Sequence, residues 1–187
     1  MLKELIQKNR SYRRFDQSKP VSRETLTELI DLARLSASAA NLQNLRFWLL
    51  DEANEELFSG LTWANYLQDW DGPAEGEKPA AYILILAPRN FTKFIYFDTG
   101  IACQSILLGA TERGLGGCML ASVDKDHVQM SLGIPEEYEI ILAIALGVPD
   151  EEVIIDDADS KENIEYWRDK KDRHRVPKLP LKTLILN

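Results

Sequence analysis

Residues 98–113, from Asp98 to Arg113, read as a helix that is apolar nearly all round, with Ile101, Ala102, Cys103, Ile106, Leu107, Leu108 and Ala110 pointing in every direction. Such a helix has to be covered on all sides, within its own domain or by a second subunit. Its small residues, Gly100, Ala102, Ser105, Gly109 and Ala110, let another helix or a flat ring come close. Gly114 after Arg113 ends it as a glycine C-cap.

The other elements follow from periodicity and turn signals. Leu2, Leu5 and Ile6 mark a short amphipathic helix over 2–8. Ser22 is a good N-cap for a helix running to about Ala37, with Leu26, Leu29, Ile30 and Ala33 at helical spacing. Residues 47–50, 82–87, 118–122 and 139–147 read as strands, and 55–61 and 124–132 as short helices. Residues 63–79 mix Trp63, Tyr66 and Trp70 with turn formers and read as a long loop, a place where function often sits. Residues 150–163 read as an acidic exposed stretch, and Leu184-Ile185-Leu186 as a strand-like tail seeking a sheet edge on a partner chain.

With 187 residues and no internal linker, the chain is expected to form a single domain over 1–187. Its net charge of −8 argues against nucleic acid and anionic membrane surfaces as partners. No apolar run approaches the ~20 residues of a membrane span. The first residues are too short and too charged for a signal peptide, and Cys103 and Cys118 form no CxxC pair. Two unpaired thiols suit a reducing compartment, so a cytoplasmic location is expected.

Against that acidic background the segment Asn9-Arg10-Ser11-Tyr12-Arg13-Arg14-Phe15-Asp16 stands out. Arginine offers paired N–H donors and a permanent charge, so guanidinium groups beside a hydroxyl suit a phosphate monoester. A solvated basic turn is the plainer alternative. Ser36-Ala37-Ser38-Ala39-Ala40-Asn41-Leu42-Gln43-Asn44 then combines small residues with amides, which suits a backbone lying close to a flat polar ligand.

Most familiar catalytic devices are missing. Gly114-Leu115-Gly116-Gly117-Cys118-Met119 follows a helix rather than a strand and has Met in the sixth place, so it is no dinucleotide fingerprint. There is no GxxxxGK[ST] loop, HExxH helix or GxSxG elbow. His127 and His174 are isolated and read as surface residues. A phosphate grip without its own acid–base machinery fits a reaction carried by a cofactor.

In these segments the chain resembles the nitroreductase family of flavin enzymes. Residues 10–16 are similar to the family's RSxRxF element, and 36–47 to its APSxxNxQPWRF element. Residues 100–120 resemble its central helix and GLGxCxI turn, Ile144–Glu151 its ALGxPxE strand end, and Val176-Pro177-Lys178 its VPKR element. Asn44 and Leu45 replace the usual Pro-Trp, Ala37 replaces a proline, and Leu179 replaces a basic residue.

The resemblance implies an α+β fold, a mostly antiparallel central sheet flanked by helices in an intertwined homodimer with FMN at the interface. It implies that Arg10, Ser11, Arg13 and Lys178 hold the phosphate. Ala37, Ser38 and Ala39 would line the ring from the same chain, and Asn41 and Gln43 would lie near it, from either chain. Met119, Leu120, Ala121 and Ser122 would run along the flavin. It further implies NADH or NADPH as electron donor and a small electron-poor acceptor, a nitroaromatic or quinone. Reductive dehalogenation, flavin cleavage and a non-catalytic flavin-binding module stay open as alternatives.

Overall fold

Two long strands, β2 (Ala81–Pro88) and β4 (Tyr138–Gly147), form the centre of the protein, and both are buried on both faces. In the computed structural model, which describes residues 1–187, they pair antiparallel. β1 (Arg46–Leu50) adds to β2 and β3 (Gly116–Leu120) to β4, which gives an all-antiparallel sheet in the order β1-β2-β4-β3.

The side-chain alternation of a strand separates two cores. Ile83, Ile85, Ile144 and Leu146 face α2 (Arg23–Leu35) and α4 (Phe94–Glu112). Tyr82, Leu84, Leu86, Ala143, Ala145, Cys118 and Leu120 face the opposite layer, which includes Trp63, Leu57 of α3 (Glu55–Ser59) and Val128 of α5 (Lys125–Leu132). Each fully buried Leu or Ile here stabilises the fold by roughly 1.5–3 kcal/mol relative to exposure. Helices cover both faces of the sheet, so each apolar face is buried against a second layer.

Local signals set the helix ends. Ser22 caps α2 by accepting from the Thr25 N–H at 3.1 Å, and Asp124 caps α5 by accepting from the His127 N–H at 3.2 Å. Gly114, at φ +75°, closes α4, and the Leu115 N–H reaches back to the Ala110 carbonyl.

Three expectations need correction. α4 starts at Phe94, a turn before Asp98, because nothing in Phe94-Ile95-Tyr96-Phe97 breaks a helix. Within a single chain Phe94, Phe97 and Ile101 remain exposed on one stripe, which leaves open the alternative of cover by a second subunit. The acidic stretch 150–163 contains β5 (Val153–Asp157), which pairs in parallel with β7 (His174–Lys178), with β6 (Trp167–Arg168) on the far side. Charges had masked the apolar triplet Val153-Ile154-Ile155, and Arg175 neutralises Asp156 through two bonds of 2.6 and 2.7 Å. The C-terminal tail forms a short helix, α6 (Leu181–Leu184), so Leu184 is helical where a strand was expected, while Ile185 is extended and pairs with no strand of the chain. The first helix, α1 (Leu2–Lys8), lies against α4 with none of its residues fully buried.

The free edge of β3 receives the basic loop. Ser11 bridges Gly117, and the Tyr12 N–H donates to the Gly117 carbonyl at 3.1 Å. A Cβ on Gly117 would lie 2.7 Å from the Ala145 carbonyl oxygen and 2.6 Å from Leu107. Gly117→Ala should therefore destabilise the protein by about 1–3 kcal/mol, read from urea denaturation midpoints. An unchanged midpoint would show that this approach is looser than the distances imply.

Candidate anion-binding site

The basic loop is held from beneath by one carboxylate. Glu151, with a side chain only 2% exposed, accepts from the backbone N–H of Arg13 and, at 3.2 Å, from that of Arg14. Its second oxygen accepts from Arg168 at 2.8 Å. Phe15, fully buried, packs on Gly147, and the Asp16 N–H donates to the Val148 carbonyl. The loop is thereby clamped between the edge of β3 and the segment after β4.

The two adjacent arginines then take different parts. Arg14 is neutralised by Asp172 and, at 3.3 Å, by Glu77, and it lies over Trp70. Arg13, 9% exposed, has no acidic partner. Its Nη1 donates to Nε2 of His174 at 3.1 Å, and its guanidinium lies 4.6 Å from the centre of the Tyr166 ring.

Arg10, Ser11, Arg13, Met119 and Lys178 all line one cavity of about 270 Å³, together with Gln104, Leu107, Tyr166, His174 and Val176. Neither Arg10 nor Lys178 meets a carboxylate; Arg10 donates only to the Ile6 carbonyl, at 2.6 Å. Nε of Arg10 and Nε of Arg13 are buried without partners, while Nη2 of Arg13 has no partner and is not sealed off. Three uncompensated cations and a hydroxyl around one cavity are a donor set for a doubly charged oxyanion.

The remaining predicted residues lie elsewhere in the protomer. Ala37, Ser38 and Gln43 line a second cavity of about 190 Å³, beside Asp98 and Ala102 on the other flank of α4. Ala39 and Asn41 belong to the short 3₁₀ turn between them. Ala40, Asn41 and Gln43 have positive φ of 49°, 54° and 50° without being glycine, with Leu42 at φ −69° between the last two, and the buried Asp98 carboxylate pins the segment by accepting from the Ala39 N–H at 2.8 Å. Backbone held in such strain is common where ligands are gripped. Within one chain this loop and the cationic cavity share no lining residue. Leu120 buries its side chain in the core, so only its backbone can face a ligand, and Ala121 and Ser122 are exposed beyond the end of β3.

Sequence reasoning missed Glu151, Tyr166, Gln104 and His174. His174 is not a surface residue: it is 1% exposed and lines the cationic cavity. Its signal was the alternation His174, Val176, Lys178, which puts all three on one side of β7. Burial, with Arg13 and Arg168 nearby, pushes its pKa down to about 4, so it is neutral at pH 7. The cysteines offer no nucleophile: burial pushes Cys103 up to about 12 and also raises Cys118.

The chain is thus an α+β protein with a central antiparallel sheet under helices and a cationic cavity at the sheet's edge. The model of the nitroreductase family matches residues 6–148, and this chain belongs to that family. YodC of Bacillus subtilis, assigned as an NAD(P)H nitroreductase, is 22% identical over 179 residues, covering 77% of this chain and 87% of YodC. An FMN-dependent nitroreductase of Clostridium difficile superposes with a TM-score of 0.63 at 22% identity, covering 86% of this chain and 93% of the other. The NADPH:FMN oxidoreductase of Vibrio harveyi, solved with NAD+, gives 0.67 at 22% identity, covering 98% and 75%.

His174 also sets a pH dependence. Its imidazole titrates near 6.5 when unfolded and near 4 when folded, so between those values the unfolded chain binds the proton more tightly. Its contribution is intact above pH 6.5 and is lost as pH falls toward 4, by about 3 kcal/mol in all. Urea midpoints at about pH 7 and about pH 4.5 should differ less in His174→Gln than in the wild type.

Proposed function

We propose that this chain is an FMN-dependent oxidoreductase that takes hydride from NADH or NADPH and passes electrons to an electron-poor acceptor such as a nitroaromatic or quinone. The observation that carries the reading is the set of uncompensated cations, Arg10, Arg13 and Lys178, converging on one cavity of an acidic protein. A flavin phosphate brings close to two negative charges and three acceptor oxygens to that set. Family membership and the FMN-dependent neighbours support the same reading.

When bound, FMN supplies the redox chemistry through N5 of its ring, which no side chain here can perform. The chain's own part is to bind and orient. Arg10, Ser11, Arg13 and Lys178 hold the phosphate, and Leu107, Met119 and Val176 give the cavity apolar walls that exclude water from those contacts. Leu120, Ala121 and Ser122 contribute backbone. Residues 1–187 act as one flavin-binding domain.

The strained loop carrying Ala37, Ser38, Ala39, Asn41 and Gln43 serves the cofactor of the partner subunit in a homodimer. Support comes from the open stripe of α4, where Phe94, Phe97 and Ile101 are 43%, 63% and 41% exposed, with Leu2 and Ile6 of α1 exposed as well. An apolar patch of this kind marks an interface. No helix is long and apolar enough to cross a membrane, and the buried free thiols fit a reducing compartment.

Purified protein should be yellow, release FMN on heating, and oxidise NADH or NADPH when given a nitroaromatic. A colourless protein that takes up no added FMN overturns the reading. Arg13→Ala should weaken FMN binding by roughly 2–3 kcal/mol, followed by quenching of flavin fluorescence. Phe97→Asp with Ile101→Asp should sediment as a monomer and hold FMN less tightly; a variant that stays dimeric places the interface elsewhere.

A further inference from the structure

Resting on the reading of the cationic cavity as the seat of the FMN phosphate, we propose that His174 is a positioning residue for that phosphate: its Nε2 lone pair holds the Arg13 guanidinium so that Nη2 is presented to the cavity.

Arginine only donates, so the 3.1 Å contact between Nη1 of Arg13 and Nε2 of His174 makes the imidazole the acceptor and places its proton on Nδ1. Nη1 also reaches the Ser11 carbonyl, at 3.4 Å. Tyr166 stacks on the guanidinium at 4.6 Å and on the His174 ring at 5.1 Å, so Arg13 is held at its edge and on its face. Nε and Nη2 are left without partners, and of the two only Nη2 is not sealed off, on a side chain that lines the cavity.

The choice of imidazole has a chemical consequence. A buried arginine is ordinarily paired with a carboxylate. A carboxylate at position 174 would fix the guanidinium equally well but would cancel its charge and compete with an incoming anion. A neutral imidazole supplies direction without cancelling charge. Burial beside Arg13 and Arg168 keeps it neutral, and Glu151 is occupied by Arg168 and by the backbone of the loop. β7 carries His174 and Lys178 on the same side, so one strand supplies both the aligner of Arg13 and a second cation.

The test compares FMN with riboflavin, which lacks the phosphate, by flavin fluorescence on apoprotein. His174→Ala should weaken FMN by about tenfold or more and riboflavin by less than about twofold. His174→Gln, whose amide oxygen can accept from Arg13, should recover most of the FMN affinity, whereas His174→Asp should not. In an Arg13→Ala background, His174→Ala should add less than about twofold. Wild-type FMN affinity in His174→Ala, equal losses for both flavins, or losses that add to those of Arg13→Ala overturn the inference. If the wild type binds neither flavin, the flavin reading falls on its own. Inorganic phosphate then decides the inference: thermal stabilisation present in the wild type and lost in His174→Ala supports it, and stabilisation equal or absent in both overturns it.

Discussion

The buried carboxylate of Glu151 is the contact on which the site depends. It satisfies two backbone donors of the basic loop, at Arg13 and Arg14, and is itself neutralised by Arg168. Removing one partner of such a buried pair typically costs about 3–5 kcal/mol, because the survivor is left charged and dry. Glu151 lies four residues beyond the end of β4, so the central strand of the sheet determines where the loop sits. The same clamp sorts the arginines. Arg14 is turned to Asp172, Glu77 and Trp70 and becomes structural, while Arg13 is left without an acid beside the cavity.

Charge alone would not make a site in this protein. In a chain of net charge −8, several basic side chains find acids: Arg175 finds Asp156, Arg113 finds Glu28, and Lys78 finds Glu55 and Glu75. Arg10, Arg13 and Lys178 find none, and all three line one cavity. Cations gathered without acids around one cavity form a donor set suited to an anion. The second cavity, beside Asp98 and the left-handed turn, lies on the other flank of α4. The exposed stripe of Phe94, Phe97 and Ile101 separates the two, which is the arrangement expected if a second copy completes each site.

Much of the architecture was legible from local pattern. Ser22, Asp124 and Gly114 mark helix ends because capping is decided by neighbours in sequence. The strands at 46–50, 81–88 and 138–147 declare themselves by apolar runs and β-branched residues. The cluster holding Arg10, Ser11 and Arg13 could be singled out because arginines and a hydroxyl in five positions are rare in an acidic chain, whereas Lys178 was named only through the resemblance of Val176-Pro177-Lys178 to a family element. β5 was hidden because its partner, β7, lies about twenty residues away and its apolar triplet sits among acids. α4 was expected to be covered within its own domain or by a second subunit, and the single chain covers only part of it, because cover from another copy is not written in local pattern.

By itself, the sequence determined most of the helices, the strand segments and the identity of the cationic residues, since propensity, periodicity and charge act over short distances, while the antiparallel pairing was implied only by the family resemblance. Only the tertiary structure decided which arginine is neutralised and which stays free, that an isolated histidine aligns Arg13, and that the loop at 37–43 stands apart from the cationic cavity within one protomer. Those outcomes depend on which distant groups share a low-dielectric space, and folding alone establishes that.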